Sequence, residues 1–488
     1  MTPGNPKIAV GALLAAALLV SGCTVGPNYH RPDAATAPAF KESAAVPPPT
    51  SPGVGWKQVD PNDSVIRANW WEIYQDSQLN KLEEQVAVSN QTLKASYEQY
   101  VQARAAIQVY RSQYFPTLSA GPSATREKQS QNRPLYVPGS KTNYNDFILD
   151  GQVSWEPDLW GNIRRQVELQ RATAQATAAD LANVDLSLRS ELATDYFELR
   201  GLDTQQRLLD STVLQYQQYL DLTKARFTGG VATESDVALA QTQVDQTRAQ
   251  AIDVAVARAQ FEHAIATLTG VPASNFSLAF APLDLQLPQV PVAVPSQLLE
   301  RRPDVAAAER RTNAANAQIG IAIAAYYPTI NITGAGGFES RSGGTWLQGP
   351  SSLWSLGGSA VELLFDAGRR HALTEEARAG YEQNVANYRQ TVLQAFQEVE
   401  DNLSGLRILS NESVAQQRAV DSARRSLLIS TNRYKGGVTT YLEVITAQTT
   451  QLSNERTAAD INTREFAASV QLVKALGGGW DATKLPHP

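Results

Sequence analysis

The 488-residue chain contains few of the side chains that metal sites and covalent catalysis need. Its only cysteine is Cys23, so no disulfide can form within the chain. A net charge of −6 gives no sign of nucleic-acid binding. Four histidines are scattered without metal-ligand or catalytic spacing, and two glycine-rich stretches lack the spacing of phosphate-binding loops. They are His30, His263, His371 and His487, with Gly334–Gly337 and Gly139–Thr142. We therefore expect no enzyme activity, no metal and no cofactor.

Proline is missing from two long stretches, residues 158–271 and 351–485. Both are rich in Ala, Gln, Leu, Arg and Glu, which favour helix. The segments 160–227 and 367–435 would each form a helix about 100 Å long at roughly 1.5 Å per residue. Helices of that length are stable only when they pack side by side along their length. The sequence therefore predicts an assembly of long, mutually packed helices.

The bend that ends each long helix occurs twice in closely similar sequence. Arg226–Thr233 reappears 207 positions later as Arg433–Thr440, and each copy contains a Gly-Gly pair. Adjacent glycines favour a helix C-terminus, because glycine accepts a left-handed backbone. Thr233, and either Thr439 or Thr440, can cap the helix that follows. The repeat indicates duplication and predicts two helical hairpins, with tips at 226–236 and 433–443 and return arms at 233–269 and 440–476.

The N-terminus carries a short apolar run, residues 8–20, which is too short to span a membrane and is typical of a signal peptide over residues 1–22. Val20-Ser21-Gly22 before Cys23 matches the pattern of a bacterial lipobox, which predicts cleavage and acylation at Cys23. Thr24 follows instead of aspartate, which favours sorting to the outer membrane. Residues 23–69 are rich in proline and are predicted to be an extended tether without a core of its own. An ordinary signal peptide with a chance cysteine is the alternative.

Four stretches alternate apolar and polar residues, at about 116–126, 144–156, 328–339 and 353–364. Each is about as long as a tilted strand that crosses a bilayer, with one apolar and one polar face. A membrane-crossing sheet cannot leave its edges unpaired, and a small barrel needs at least about eight strands. Four strands per chain therefore require an oligomer. The alternative is a soluble four-stranded sheet with one half-buried face.

Helices and strands recur in two structural repeats, residues 70–275 and 297–477, joined by a proline-rich linker at 276–296 and followed by a tail at 478–488. In each repeat, shorter helices lead into a strand at an aromatic-Pro-Thr sequence. We expect these shorter helices to cover the parts of the long helices that the return arms leave bare. They begin at Gln91, Ser296 and Pro303.

Several of these motifs occur together in one known family. They are Cys23, Leu299–Asp304, the Tyr327-Pro328-Thr329 strand entry, Leu364–Arg370 and the duplicated tips. In these motifs, from Cys23 to about Gly479, the chain resembles the TolC-like outer-membrane efflux channels, and within them the acylated NodT-type subgroup of tripartite pumps. The resemblance implies a mixed α/β membrane protein that is mainly α. Three copies would pool four strands each into a 12-stranded outer-membrane β-barrel, continued by a periplasmic α-barrel of long helical hairpins.

The resemblance also implies two partners, a periplasmic adaptor (membrane-fusion protein) and an inner-membrane transporter of the resistance-nodulation-division class. The tips would close the channel and receive the adaptor. The implied gate residues are Arg433, Tyr434, Leu442, Glu443 and Thr446. Thr446 stands where related channels carry an aspartate, so an acidic constriction would need another residue such as Glu443. The implied docking residues are Arg226, Phe227, Gly229, Gly230, Val231, Gly436, Gly437 and Val438.

The expected function is passive conduction. The homotrimer, lipid-anchored in the outer membrane, would export small molecules such as drugs or other toxic compounds, with energy supplied by the inner-membrane transporter. The competing hypothesis is a lipid-anchored periplasmic coiled-coil lipoprotein that acts as a spacer or adaptor without a pore. The paired alternating strands favour the channel, because a spacer needs no lipid-facing barrel. The sequence leaves the cargo, the identity of the adaptor and the resting state of the gate open.

Overall fold

The computed structural model describes residues 24–35, 37–44, 56–58, 69–292 and 301–486. Cys23, the signal peptide and the predicted helix start at Ser296 lie outside the described residues. Seven α-helices longer than a single turn make up most of the described chain. They are α1 (Ser77–Ser89), α2 (Gln91–Ser112), α3 (Asn162–Thr228), α4 (Glu234–Leu268), α5 (Pro303–Ala324), α6 (Arg369–Lys435) and α7 (Tyr441–Ala475).

The two long helices α3 and α6 contain 67 residues each, and the return helices α4 and α7 contain 35 each. Their bounds confirm the predicted hairpins. Helix α3 packs against α4, α6 against α7, and α3 against α7, while α2 and α5 cover the parts of the long helices beyond the return arms. Within the described ranges, none of these helices combines the length and the apolar character that a membrane span requires.

Four antiparallel strands form one sheet in the order β1-β2-β3-β4: β1 (Thr117–Lys128), β2 (Asn143–Trp155), β3 (Thr329–Ser340) and β4 (Ser352–Val361). The predicted strands are confirmed to within three residues at every end. The register between the repeats places Gly151 of β2 opposite Gly336 of β3. Not one residue of the four strands is buried. Within this chain, therefore, neither face of the sheet is covered by a buried core, and the half-buried residues lie mainly on the two central strands β2 and β3.

The two hairpin tips share one backbone geometry. In the first, the amides of Gly230 and Val231 donate to Phe227 O and Arg226 O, and Gly230 has φ +74°. In the second, Gly437 has the same φ and its amide donates to Tyr434 O. This left-handed helix ending favours glycine. Thr233 forms a capping box with Asp236. Thr440 occupies the N-cap position of α7 with an extended backbone, but its side chain makes no capping hydrogen bond.

A large core lies where the short helices, the long helices and the N-terminal parts of the chain meet. Its largest side chains are aromatic: Phe40, Trp70, Trp71, Tyr74, Tyr196, Phe197, Tyr388 and Phe466. Close to this core, α3 and α7 approach so tightly that a Cβ on Gly201 would lie 2.1 Å from Oγ1 of Thr463. The long hairpins are therefore fixed to each other near their middle.

The segment predicted as a tether is extended, and it also packs on the helices. Arg165 is buried and donates to the carbonyls of Val25 and Gly26. Further along, Tyr29 donates to Glu309 Oε1 at 2.5 Å, and Phe40 is buried in the main core. The described part of this segment is thus bound to α3, α5 and α6.

The linker between the repeats is also bound to the helices, over its described part. Asp203 of α3 is fully buried and accepts hydrogen bonds from Arg258 of α4 and from the Ala281 amide. Arg200 donates to the Ala279 carbonyl at 2.7 Å. These pairings between charged side chains and backbone groups offset much of the cost of burying them.

Candidate functional site at the hairpin tips

Four helices meet at the tips around a small core that is separate from the main one. The core includes Tyr216 and Leu220 of α3, Val244 of α4 and Val444 of α7. Tyr434 from the end of α6 and Tyr441 from the start of α7 pack there with ring centroids 5.2 Å apart. Apolar packing therefore joins the two hairpins as far as their tips.

Polar contacts connect the first hairpin to the second at the same level. The Arg226 guanidinium lies over the Tyr434 ring, 4.7 Å from its centroid, and its Nη1 donates to Lys435 O at 3.3 Å. Two turns before Arg226 on α3, the hydroxyl of Tyr219 lies 3.3 Å from that of Thr431 on α6. A cation over an aromatic face is worth about 0.5–2 kcal/mol. Arg226 thus contributes to holding α3 against α6.

Arg433 and Glu443 form a second polar contact, with Nη1 and Oε2 3.4 Å apart. Both side chains are about half exposed, and they belong to the same hairpin. Solvent-exposed pairs contribute about 0–1 kcal/mol. This pair steadies the bend between α6 and α7, while the link between hairpins comes from Arg226.

Leu442 and Thr446 lie one turn apart on the exposed side of α7. Leu442 is 59% exposed, although leucine is usually buried. The Thr446 hydroxyl donates to the Leu442 carbonyl at 3.0 Å, so it is satisfied within its own helix. The nearest carboxylate along this helix is Glu443, which is paired with Arg433. At Leu442 and Thr446 this face therefore carries no charge.

The residues implied for docking form the apolar ends of both tips. Phe227, Val231 and Val438 are each about half exposed or more. The glycine pairs Gly229-Gly230 and Gly436-Gly437 are also exposed. Together they present small and apolar groups to whatever lies beyond the tips.

Sequence reasoning placed Arg226 in the docking set, whereas the structure brings it onto Tyr434. It did not identify Tyr219 or Tyr441, which complete the tip core. Burial is the largest cause of the raised pKa of Tyr441, and the neighbouring Tyr434 and Tyr219 raise it further. The Tyr441 hydroxyl therefore stays neutral. The concentration of aromatic residues on either side of Gly436-Gly437 was the signal that could have identified the core.

Comparison with known proteins agrees with this architecture. The family model for outer membrane efflux protein matches residues 82–271 and 294–478. Outer membrane protein OprJ of Pseudomonas aeruginosa is 30% identical over 486 residues, covering 98% of this chain and 97% of OprJ. The probable efflux pump outer membrane protein TtgC of Pseudomonas putida is 28% identical over 96% of this chain and 95% of its own length.

Solved structures give the same result. The outer-membrane channel OprN superposes with a TM-score of 0.85 at 30% identity, covering 94% of this chain and 100% of that one. The Campylobacter jejuni CmeC outer membrane channel shares the fold, with a TM-score of 0.86 at 23% identity over 95% and 96% of the two chains. The family match covers both repeats and their tips. This chain belongs to the outer membrane efflux protein family.

Proposed function

We propose that this protein is the outer-membrane channel of a tripartite efflux pump, a passive conduit that carries small molecules out of the cell. The observation that carries the proposal is the sheet of β1 to β4, in which no residue is buried and the outer edges of β1 and β4 have no strand partner among the described residues. A bilayer does not tolerate open sheet edges. Further copies of the chain would pair these edges.

Three copies with four strands each would give 12 strands, an even number within the range of outer-membrane barrels. The hairpins α3–α4 and α6–α7 would continue the barrel as a helical tunnel in the periplasm. Conduction through such a tunnel needs no cofactor. The energy would come from an inner-membrane transporter, for which the resistance-nodulation-division class is the proposed type.

A periplasmic adaptor is the proposed partner of the tips. The support is the exposed apolar set of Phe227, Val231 and Val438 around the two glycine pairs. Apolar side chains exposed together favour protein contact. Leu442 and Thr446 are proposed to face the channel axis.

The contact of Arg226 with Tyr434 is proposed to hold the two hairpin tips together, and the Arg433–Glu443 pair is proposed to fix the bend of the second tip in its closed position. Replacing both arginines by glutamine should increase the resting conductance of the purified protein in planar bilayers. Arg248→Gln is a matched control. This exposed arginine of α4 lies outside the tip core, and its Nη1 is 3.8 Å from Oδ1 of Asp245. Equal conductance of the double variant and the control would refute this gate.

The lipid anchor at Cys23 is a further part of the proposal. The amide of Val25 donates to Trp160 O at 3.1 Å, and the Trp160 indole donates to Pro328 O at the entry to β3. The chain directly after Cys23 is therefore held where the helices join the sheet. Metabolic labelling with palmitate should succeed for the wild type and fail for Cys23→Ser.

Bilayer conductance together with chemical cross-linking tests the channel as a whole. A cross-linked trimer that conducts supports it, whereas a monomer or non-conducting rod would favour a periplasmic spacer. The relatives include an antibiotic efflux protein, a toluene efflux protein and a pyoverdine export protein. We propose drugs and other toxic small molecules as cargo. Deletion of the gene should increase the cellular accumulation of such compounds.

A further inference from the structure

The tip half of the second repeat contains buried polar atoms that lack hydrogen-bond partners. These are the hydroxyl of Tyr434 and both amide atoms of Gln448, which have no partner among the described residues and are shielded from solvent. Tyr434 is 4% exposed and Gln448 is 1% exposed. Polar groups in protein interiors are nearly always paired, so each unpaired group requires an explanation.

The first repeat provides an internal comparison at the same two positions. Tyr434 corresponds to Phe227, which has no hydroxyl. Gln448 corresponds to Gln241, which is half-buried and donates to Asp245 Oδ2 at 3.0 Å. The residue equivalent to Asp245 in the second repeat is Leu452, which cannot accept a hydrogen bond. At these two positions the first repeat has no buried polar atom without a partner, whereas the second repeat has three.

The surroundings of Gln448 indicate what would satisfy its amide. The side chain borders a cleft of about 330 Å³ between α3, α6 and α7, whose lining includes Thr212, Tyr216 and Gln451. Arg424 and Glu455 at the same cleft already pair with each other at 2.7 Å. Water in this cleft would reach the amide if α7 shifted on α3. In the packed arrangement, the amide does not contact solvent.

We infer that the Gln448 amide and the Tyr434 hydroxyl destabilise the closed tip, so that they set how readily it opens. This inference rests on the proposed function as a gated channel. In this packed arrangement, which we take as the closed state, the three atoms are desolvated and unpaired; when the hairpins separate, water would pair with them. The closed state is therefore less stable than its apolar packing and its Arg226 contact alone would make it.

Apolar substitutions of similar shape test the inference. Gln448→Met removes both unpaired atoms, and Tyr434→Phe copies the residue of the first repeat while the ring stays against Arg226. An unpaired buried group destabilises the closed state. Its removal should therefore lower the ratio of open to closed channels about 5- to 150-fold. Single-channel recording in planar bilayers measures this ratio. The matched control is Gln241→Met, which should leave the ratio close to that of the wild type.

A second readout separates this inference from the proposed function. Thermal unfolding of the detergent-solubilised protein should show a higher transition temperature for Gln448→Met than for the wild type and for Gln241→Met. An unchanged or lower transition temperature, or an unchanged or higher open ratio, would overturn the inference, because each of these results means that the amide does not destabilise the closed state. If the wild type does not conduct, the proposed function fails, and the thermal comparison still decides whether the Gln448 amide is unpaired.

Discussion

Replacement of Gly201 by alanine tests the tightest contact between the two repeats. A Cβ at this position of α3 would lie 2.1 Å from Oγ1 and 2.7 Å from Cγ2 of Thr463 on α7, whereas non-bonded atoms pack at roughly 3.5–4.0 Å. Thr463 is buried, so the helices would have to separate. Overpacking of this kind costs about 1–3 kcal/mol. Alanine regains about 0.8–1.0 kcal/mol of helix propensity. Since the overlap exceeds an ångström, we expect a net loss of about 1–2 kcal/mol.

The assay is denaturant unfolding in detergent, followed by the far-ultraviolet circular dichroism of the helices. Gly405→Ala on α6 is the control, because a Cβ there meets nothing within 4 Å, and it should be neutral or stabilising. The double variant Gly201→Ala/Thr463→Ala removes both overlapping atoms of the threonine and should recover most of the loss. If Gly201→Ala is as stable as Gly405→Ala, the close approach of α3 and α7 is refuted.

Three further predictions concern titration, the gate and the tips. Burial raises the pKa of Glu465 to about 7 from 4.5, so stability falls as the pH rises between these values. Glu465→Gln should therefore add about 1–3 kcal/mol of unfolding free energy at pH 8 and almost nothing near pH 4; an equal gain at both pH values would contradict this. Leu442→Ala should raise resting conductance, and Leu428→Ala, an exposed leucine of α6, should not; unchanged conductance removes Leu442 from the gate. Gly437→Val should weaken adaptor pull-down without loss of trimers, because valine strains a φ of +74°; loss of trimers would argue against a role confined to docking.

Two kinds of interaction with opposite effects act within one tip. Arg226 and the aromatic core stabilise contact between the hairpins, whereas the unpaired atoms of Tyr434 and Gln448 oppose it. A gate that must open repeatedly needs a closed state of limited stability, since a ligand or partner can shift an equilibrium only by its differential affinity for the two states. The free-energy difference between the closed and the open tip is thus the quantity that substitutions there should change.

Local features of the sequence predicted the secondary-structure elements and their repetition. Absence of proline and an abundance of helix formers predicted α3 and α6, alternation predicted β1 to β4, and the Gly-Gly pairs predicted the two bends. These features follow from backbone sterics and from side-chain periodicity, which act within a few residues. They were sufficient for the resemblance to a channel family and for the location of the tips.

Which residues come into contact follows from the tertiary packing. It placed Arg226 on Tyr434, brought Gly201 against Thr463, and packed the N-terminal segment on Arg165. It also buried Gln448 while its repeat counterpart Gln241 stays paired near the surface. Such contacts join residues far apart in the chain and depend on how each long helix is rotated against its neighbours. The apolar and polar faces of the long helices are only weakly separated in the sequence, and many of their side chains are small. The rotation of each helix is therefore set by the packing of the whole fold.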